Sequence, residues 1–145
     1  MAHTNIWIHL VWGTKRREPL LEKSVRFKIF EHIRETAREK GIHVDFINGH
    51  VDHVHCLISM KAKQNIADIA QQLKGESSHW VNNEAKLVKH KLRWCEDYYA
   101  VSIGISGLDA VREYIKNQED HHSRKSFVEE CEEFMRIYGF EHLLE

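Results

Sequence analysis

A chain of 145 residues is the usual size for one hydrophobic core, so two separate cores are excluded, and residues 1–145 are expected to form one domain. Its 42% hydrophobic and 30% charged residues, with one proline and no Gly/Ser-rich tract or repeat, exclude a disordered chain. The net charge of −1 excludes a simple polycation for nucleic acid, although residues 1–94 hold 16 Lys and Arg against 10 Asp and Glu, and residues 95–145 hold 5 against 12.

Met1 to Asn5 shows no leader pattern, and no window approaches the roughly 18 uncharged apolar residues of a membrane span, so a cytoplasmic location is expected. Cys56, Cys95 and Cys131 are odd in number and lack a Cys-x-x-Cys pair, which argues against a disulfide framework or a zinc ribbon.

Ile6, Ile8, Leu10 and Trp12 alternate with Trp7, His9 and Val11, the composition of a strand buried on both faces. Phe27, Phe30, Ile33 and Ala37 then recur at helical spacing, and Gly41 stands where a C-cap belongs. Ile42, Val44 and Phe46 alternate with His43 and Asp45, Asn48-Gly49 is a turn signal, and His53 to Met60 returns, predicting a β-hairpin.

Asn65, with Asp68 three residues on, caps a second helix whose stripe is Ile66, Ile69, Leu73, Ser77 and Trp80. Leu92, Trp94, Tyr98, Val101, Ile103 and Ile105 supply a last, irregular strand. The order βαββαβ predicts an α+β, ferredoxin-like split βαβ arrangement, an antiparallel sheet with helices on one face. A C-terminal helical addition over about 106–145 is predicted, with Ser106 and Asp109 opening one helix and Ser126 and Glu129 a second, which continues through Cys131, Phe134, Met135 and Tyr138.

His53-Val54-His55 on a strand aims two imidazoles at one face, with Val54, Cys56 and Ile58 on the other. Two neutral rings at a fixed separation suit a divalent metal, though among 12 histidines a His-x-His pair is a weak signal by itself. A second element strengthens it. Tyr114 and Gln118, four residues apart on a helix, share one face. A phenol can attack a phosphodiester where a nearby metal neutralises the phosphate, and the Gln118 carbonyl would serve as a third ligand. Tyr98, Tyr99 and Tyr138 are better explained by packing. His121 and His122 are second-tier candidates. Lys15, Arg16, Arg17 and Lys74, together with Lys61, Lys63, Lys86, Lys89, His90, Lys91 and Arg93, could line a groove for a sugar-phosphate backbone.

The chain resembles the HUH single-tyrosine transposases of insertion sequences, which cut and rejoin single-stranded DNA at hairpin-bearing ends. The resemblance rests on His9-Leu10-Val11-Trp12 with Thr14-Lys15, Gly49 to His55, Leu73-Lys74 through Ser77 to Trp80, and Tyr114 to Gln118 with His121-His122. It implies that His53, His55 and Gln118 bind Mg²⁺ or Mn²⁺ and that Tyr114 becomes linked to a DNA 5′-phosphate, releasing a 3′-hydroxyl. It also implies a homodimer in which the tyrosine helix of one subunit can complete the site of the other. The sequence departs from the pattern at Cys95, Asp97, Tyr99 and Val101, where relatives usually have glutamine, glycine, glycine and phenylalanine. These departures bear on loop geometry and DNA fit more than on reaction type.

Three other readings are weaker. A ferredoxin-like RNA-binding module would need RNP-type aromatics that the hairpin strands lack. A domesticated hairpin-DNA-binding relative has the same protein sequence signature, and replication initiators or relaxases are usually larger.

Overall fold

Alternation and capping signals set the element order. The computed structural model describes residues 1–122 and 126–138, the side chains of 121, 122 and 134–138 excepted. Four strands, β1 (Ile6–Gly13), β2 (His43–Gly49), β3 (His53–Met60) and β4 (Tyr99–Ile103), are joined by α1 (Lys23–Glu39) and α2 (Ile66–His79). The antiparallel sheet has the order β2-β3-β1-β4, the split βαβ topology expected from the sequence. Three helices follow: α3 (Leu108–Lys116), α4 (Gln118–His122) and α5 (Phe127–Tyr138).

The two faces of the sheet have different jobs. Leu10 and Trp12 of β1 and Val54, Cys56 and Ile58 of β3 join Ile29, Phe30, Ile33 and Ala37 of α1 and Ile69, Ala70 and Leu73 of α2 in the main core. The opposite face carries His9, His53, His55 and Leu57. There α3 packs Leu108, Val111 and Ile115 on Leu57, and Phe127 of α5 packs on Val11. Helices therefore cover both faces, the C-terminal addition taking the one that carries the histidines.

Several boundaries differ from the periodicity. Phe27 is exposed and Ile29 lies inward instead, because the buried line of α1 runs through Arg26, Ile29, Phe30, Ile33 and Ala37. Gly41 (φ 74°) closes α1 as expected: Ile42 N–H donates to Ala37 O at 2.8 Å and Gly41 N–H to Arg38 O at 3.1 Å. The strict alternation of Val44 with Phe46 fails at a β-bulge between them, which turns Phe46 toward Leu57 and places Ile47 in the main core.

Asn48-Gly49 is not the hairpin turn. Asn48 pairs with His55 and Gly49 with Val54, and the reversal falls two residues later, where His50 N–H donates to His53 O at 3.1 Å. Gly49 is there for space: a Cβ would lie 2.1 Å from His53 O. The Asn65 cap holds, its side chain accepting from Asp68 N–H. Ser106 does not cap α3, which is entered through a 3₁₀ turn at Ile105–Gly107 with Ile105 exposed. Ser126 does cap α5, its hydroxyl accepting from Glu129 N–H at 3.2 Å. Leu92 and Trp94 lie outside β4. Trp94 makes an isolated bridge to Thr14, and Leu92 is held by both ends of the Asn82 amide. Arg16 and Arg17 both sit at φ 56°, a left-handed conformation that costs a non-glycine residue about 1 kcal/mol or more.

Candidate active site

Strand register sets the histidine positions. His55 lies opposite Val11, His53 opposite Gly13, and His9 one residue pair further along the same face. All three rings are buried. His53 Nδ1 donates to Asp52 Oδ1 at 2.8 Å, and His55 Nδ1 shares a hydrogen bond of 2.9 Å with His9 Nε2. Each partner fixes a ring so that the other nitrogen, Nε2, faces the helices.

Those helices bring four further groups. Gln118 Oε1 stands 3.1 Å from His53 Nε2, and the Glu130 carboxylate of α5 lies 2.5 Å from His55 Nε2 and 3.9 Å from His53 Nε2. The Tyr114 ring meets His55 edge-on at 5.5 Å between centroids, and Glu130 and Gln118 are the polar neighbours that perturb its hydroxyl. Phe127 stacks on His53 at 4.1 Å, and Gly13 makes room for it, since a Cβ there would lie 2.8 Å from the Phe127 ring.

The helix carrying Tyr114 is not continuous through Gln118. It stops at Asn117 (φ −96°, ψ 28°) and restarts as α4. The i, i+4 relation survives the break, because Gln118 Nε2 donates to Tyr114 O at 3.2 Å and Asn117 N–H to Glu113 O at 3.1 Å. Asn48, opposite His55 in the hairpin, donates its amide to Ile115 O at 3.0 Å and Lys116 O at 3.1 Å. Arg26 of α1 clamps Glu119 of α4 at 2.6 Å. Strand and helix are thus tied directly beside the tyrosine. Asn48→Ala is expected to cost about 1–2 kcal/mol, a few degrees in Tm. An unchanged melting curve would show that these two bonds do not hold the break.

Burial raises the Tyr114 pKa well above that of a free phenol, Glu130's charge adds to the shift and the Gln118 hydrogen bond opposes it. Burial also lowers His9 from 6.5 to about 3, helped by His55 and opposed by Glu130. The unfolded chain therefore binds a proton below pH 6.5 that the folded chain refuses, and stability falls as pH drops from there toward 3. Between about pH 6 and pH 4, His9 alone is expected to remove roughly 2 to 3 kcal/mol. Denaturant titrations should show that loss in the parent and a flatter profile in His9→Gln; parallel profiles would refute it.

The donor set suits a divalent cation. With Nδ1 donating to Asp52, a neutral His53 presents a lone pair to the Gln118 carbonyl oxygen, and a cation between the two acceptors relieves their repulsion. Ligand atoms of His53, His55 and Glu130 all lie within 4.8 Å of one another.

Glu130 was missed in the sequence because it sits in an acidic run that resembles a solvated helix face. Its spacing of three from Phe127, on the apolar stripe, was the available signal. His9 stood in the motif without a role. The side chains of His121, His122 and Tyr138 lie outside the described residues. Tyr99 packs near Val11 and Phe127, and Tyr98 against the main core.

The basic residues lie at several places on the described surface. Lys15 and Arg16 line a cavity of about 180 Å³ with Glu18, Lys91 and Arg93, and Arg16 and Arg17 line a second, nearer the histidines. Lys74 lies on the other layer, donating to Glu96 O at 3.1 Å with its ammonium over the Tyr98 ring. Lys61 and Lys63 follow the far end of β3, away from His53. No helix among the described residues is long and apolar enough to cross a membrane.

Comparison with known proteins gives the same direction. Residues 2–118 match the family described as Transposase IS200 like. The chain is 28% identical over 116 residues to the ISDra2 transposase TnpA of Deinococcus radiodurans, covering 77% of this chain and 83% of that protein. It is 27% identical over 124 residues to the transposase for insertion sequence element IS200 of Salmonella typhimurium, 81% of each chain. The fold is similar to a transposase structure from Deinococcus radiodurans R1 (TM-score 0.63, 23% identity, 81% of this chain and 93% of that one). It is also similar to a REP-associated tyrosine transposase bound to a REP hairpin (TM-score 0.60, 15% identity, 84% and 74%). A family match over residues 2–118, on a fold shared with transposase structures, makes this chain a member of the IS200-like transposases.

Proposed function

We propose that the protein cleaves and rejoins single-stranded DNA beside a hairpin through a covalent link to Tyr114, with His53, His55, Gln118 and Glu130 holding Mg²⁺ or Mn²⁺. The observation that carries this reading is the convergence of one phenol, two imidazoles, an amide and a carboxylate on a single face of the sheet. A divalent cation, when bound, supplies positive charge to the scissile phosphate. Asp52 and His9 orient the two imidazoles. The Tyr114 oxygen attacks phosphorus while its proton passes to the neighbouring Glu130 carboxylate. An oxygen–phosphorus bond forms to Tyr114, the bond to the 3′ oxygen breaks, and that oxygen leaves as a hydroxyl after taking a proton. The 5′-phosphate stays on the tyrosine, so resealing needs no outside energy. The hairpin bound by the REP-associated relative supports a hairpin-bearing substrate here.

The test incubates the full chain with Mn²⁺ and labelled single strands from both flanks of its gene and seeks a detergent-resistant protein–DNA adduct. An adduct at Tyr114 supports the reading; tight hairpin binding with no adduct favours a binding role.

We further propose a homodimer whose sites are each assembled within one subunit, since Tyr114, Gln118 and the histidines meet in a single chain. Mixing Tyr114→Phe with His55→Ala subunits should then restore no cleavage. Recovery of roughly a quarter to half of the parent activity would show that the tyrosine helix serves the partner's site.

A further inference from the structure

Resting on that reading, we infer that the cavity between the end of β1, the start of β4 and the N-terminal turn of α5 is a subsite for one nucleotide of the DNA strand next to the scissile phosphate, and that Asp97 and Tyr99 set which base it accepts.

The cavity has a volume of about 290 Å³ and is lined by Arg16, Arg17, Asp97, Tyr99 and Phe127, among others. That is just under the roughly 300–1,000 Å³ of small-ligand pockets, a size that suits one base with its sugar and phosphate toward the open side. It opens beside the proposed catalytic cluster: Gly13, also in its wall, pairs with His53, and the Phe127 ring stacks on His53.

The chemistry of the walls matches a nucleotide part by part. Arg16 and Arg17 are exposed and offer two guanidinium groups for phosphate. Their consecutive left-handed backbone is a conformation that bulky side chains rarely adopt, and strain of this kind clusters at ligand sites. The half-buried Tyr99 ring, on the edge strand of the sheet, is part of the cavity wall beside Phe127, and an aromatic wall favours a base. Asp97 is exposed, and its carboxylate only accepts hydrogen bonds, so it favours a base with an amino edge, and thymine lacks one.

The site suits a polymer better than a free nucleotide. Arg16 is shared with the neighbouring cavity, where Lys15, Lys91 and Arg93 continue the positive charge away from the histidines. A lone nucleotide has no use for that continuation, whereas the next phosphates of a strand do.

The subsite is tested by sequencing the strands bound from a library of hairpins with randomised stems and flanks, using the full chain carrying Tyr114→Phe in Mn²⁺. The same selection is run with Asp97→Asn, Tyr99→Leu and Tyr99→Phe added singly. The expected result is one flanking position that disfavours thymine, with that discrimination falling at least about ten-fold in Asp97→Asn. Tyr99→Leu should weaken binding by about ten-fold whichever base is present, and Tyr99→Phe should restore it, since only the ring face is needed. Arg16→Gln or Arg17→Gln should weaken binding evenly across sequences and reduce the salt dependence by about one ion each.

A base preference unchanged by Asp97→Asn, Tyr99→Leu binding as tightly as its parent, or no enriched strand at all would overturn the subsite. Its failure and that of the nuclease reading are separable. An adduct at Tyr114 with selections that neither Asp97 nor Tyr99 alters removes the subsite alone. No adduct in the parent, with an Asp97-dependent position still present, removes the nuclease reading and leaves the cavity as a base-selective DNA contact with no scissile phosphate beside it.

Discussion

Tyr114→Phe is expected to lower strand cleavage by ~10⁴-fold or more while hairpin binding stays within about two-fold. The substitution removes one oxygen and nothing else from a ring held edge-on to His55 and His9, so the packing of α3 on Leu57 is retained. It also deletes the hydroxyl that neighbours Glu130 and Gln118. A small change in stability is compatible with the proposal; residual cleavage within ten-fold of the parent would remove Tyr114 as the nucleophile. Single-turnover assays on a labelled strand separate the two quantities, because binding and bond breaking are then read independently.

The second large effect concerns the imidazoles. His55→Ala should reduce Mn²⁺ affinity on the order of 10²-fold or more, and His53→Ala similarly, measured by calorimetric titration of the purified protein. His55 sits at the centre of the cluster, touching His9, Tyr114 and Glu130, so its loss also opens a buried gap. His55→Gln, closer in size, keeps the test interpretable should the alanine variant melt early. Glu130→Gln should weaken the metal less than either histidine change, since an amide oxygen remains on α5 to occupy the place. Mn²⁺ affinity that is equal in parent and both histidine variants would sink the assignment of this cluster as a metal centre.

The sequence announced the scaffold because its signals are local. Alternation marks strands, helical spacing marks α1 and α2, and an Asn–Asp pair caps α2, each legible within a few residues. The His-x-His pair followed from the same logic: residues two apart on a strand share a face whatever the rest of the chain does. Local rules misled where a neighbouring backbone intervened. Asn48-Gly49 looks like a turn, yet Gly49 is small because His53 O lies against it, and Asn48 reaches across the sheet to the end of α3. The bulge after Val44 reverses the face of Phe46, a change that alternation cannot report.

What the sequence by itself determined is the sheet, its order of elements, and the residue types with the chemistry for a metal-assisted tyrosine reaction. Only the tertiary structure decided which groups share the site. Glu130 enters from α5, 75 residues beyond His55 in the chain; Asp52 and His9 take one nitrogen of each imidazole; Asp97 and Tyr99 meet the arginines of the β1 turn in one cavity. The physical reason is separation along the chain. A strand or helix fixes side-chain direction over a few residues through its own backbone geometry, whereas contacts between distant segments depend on how whole elements pack, which no local pattern encodes.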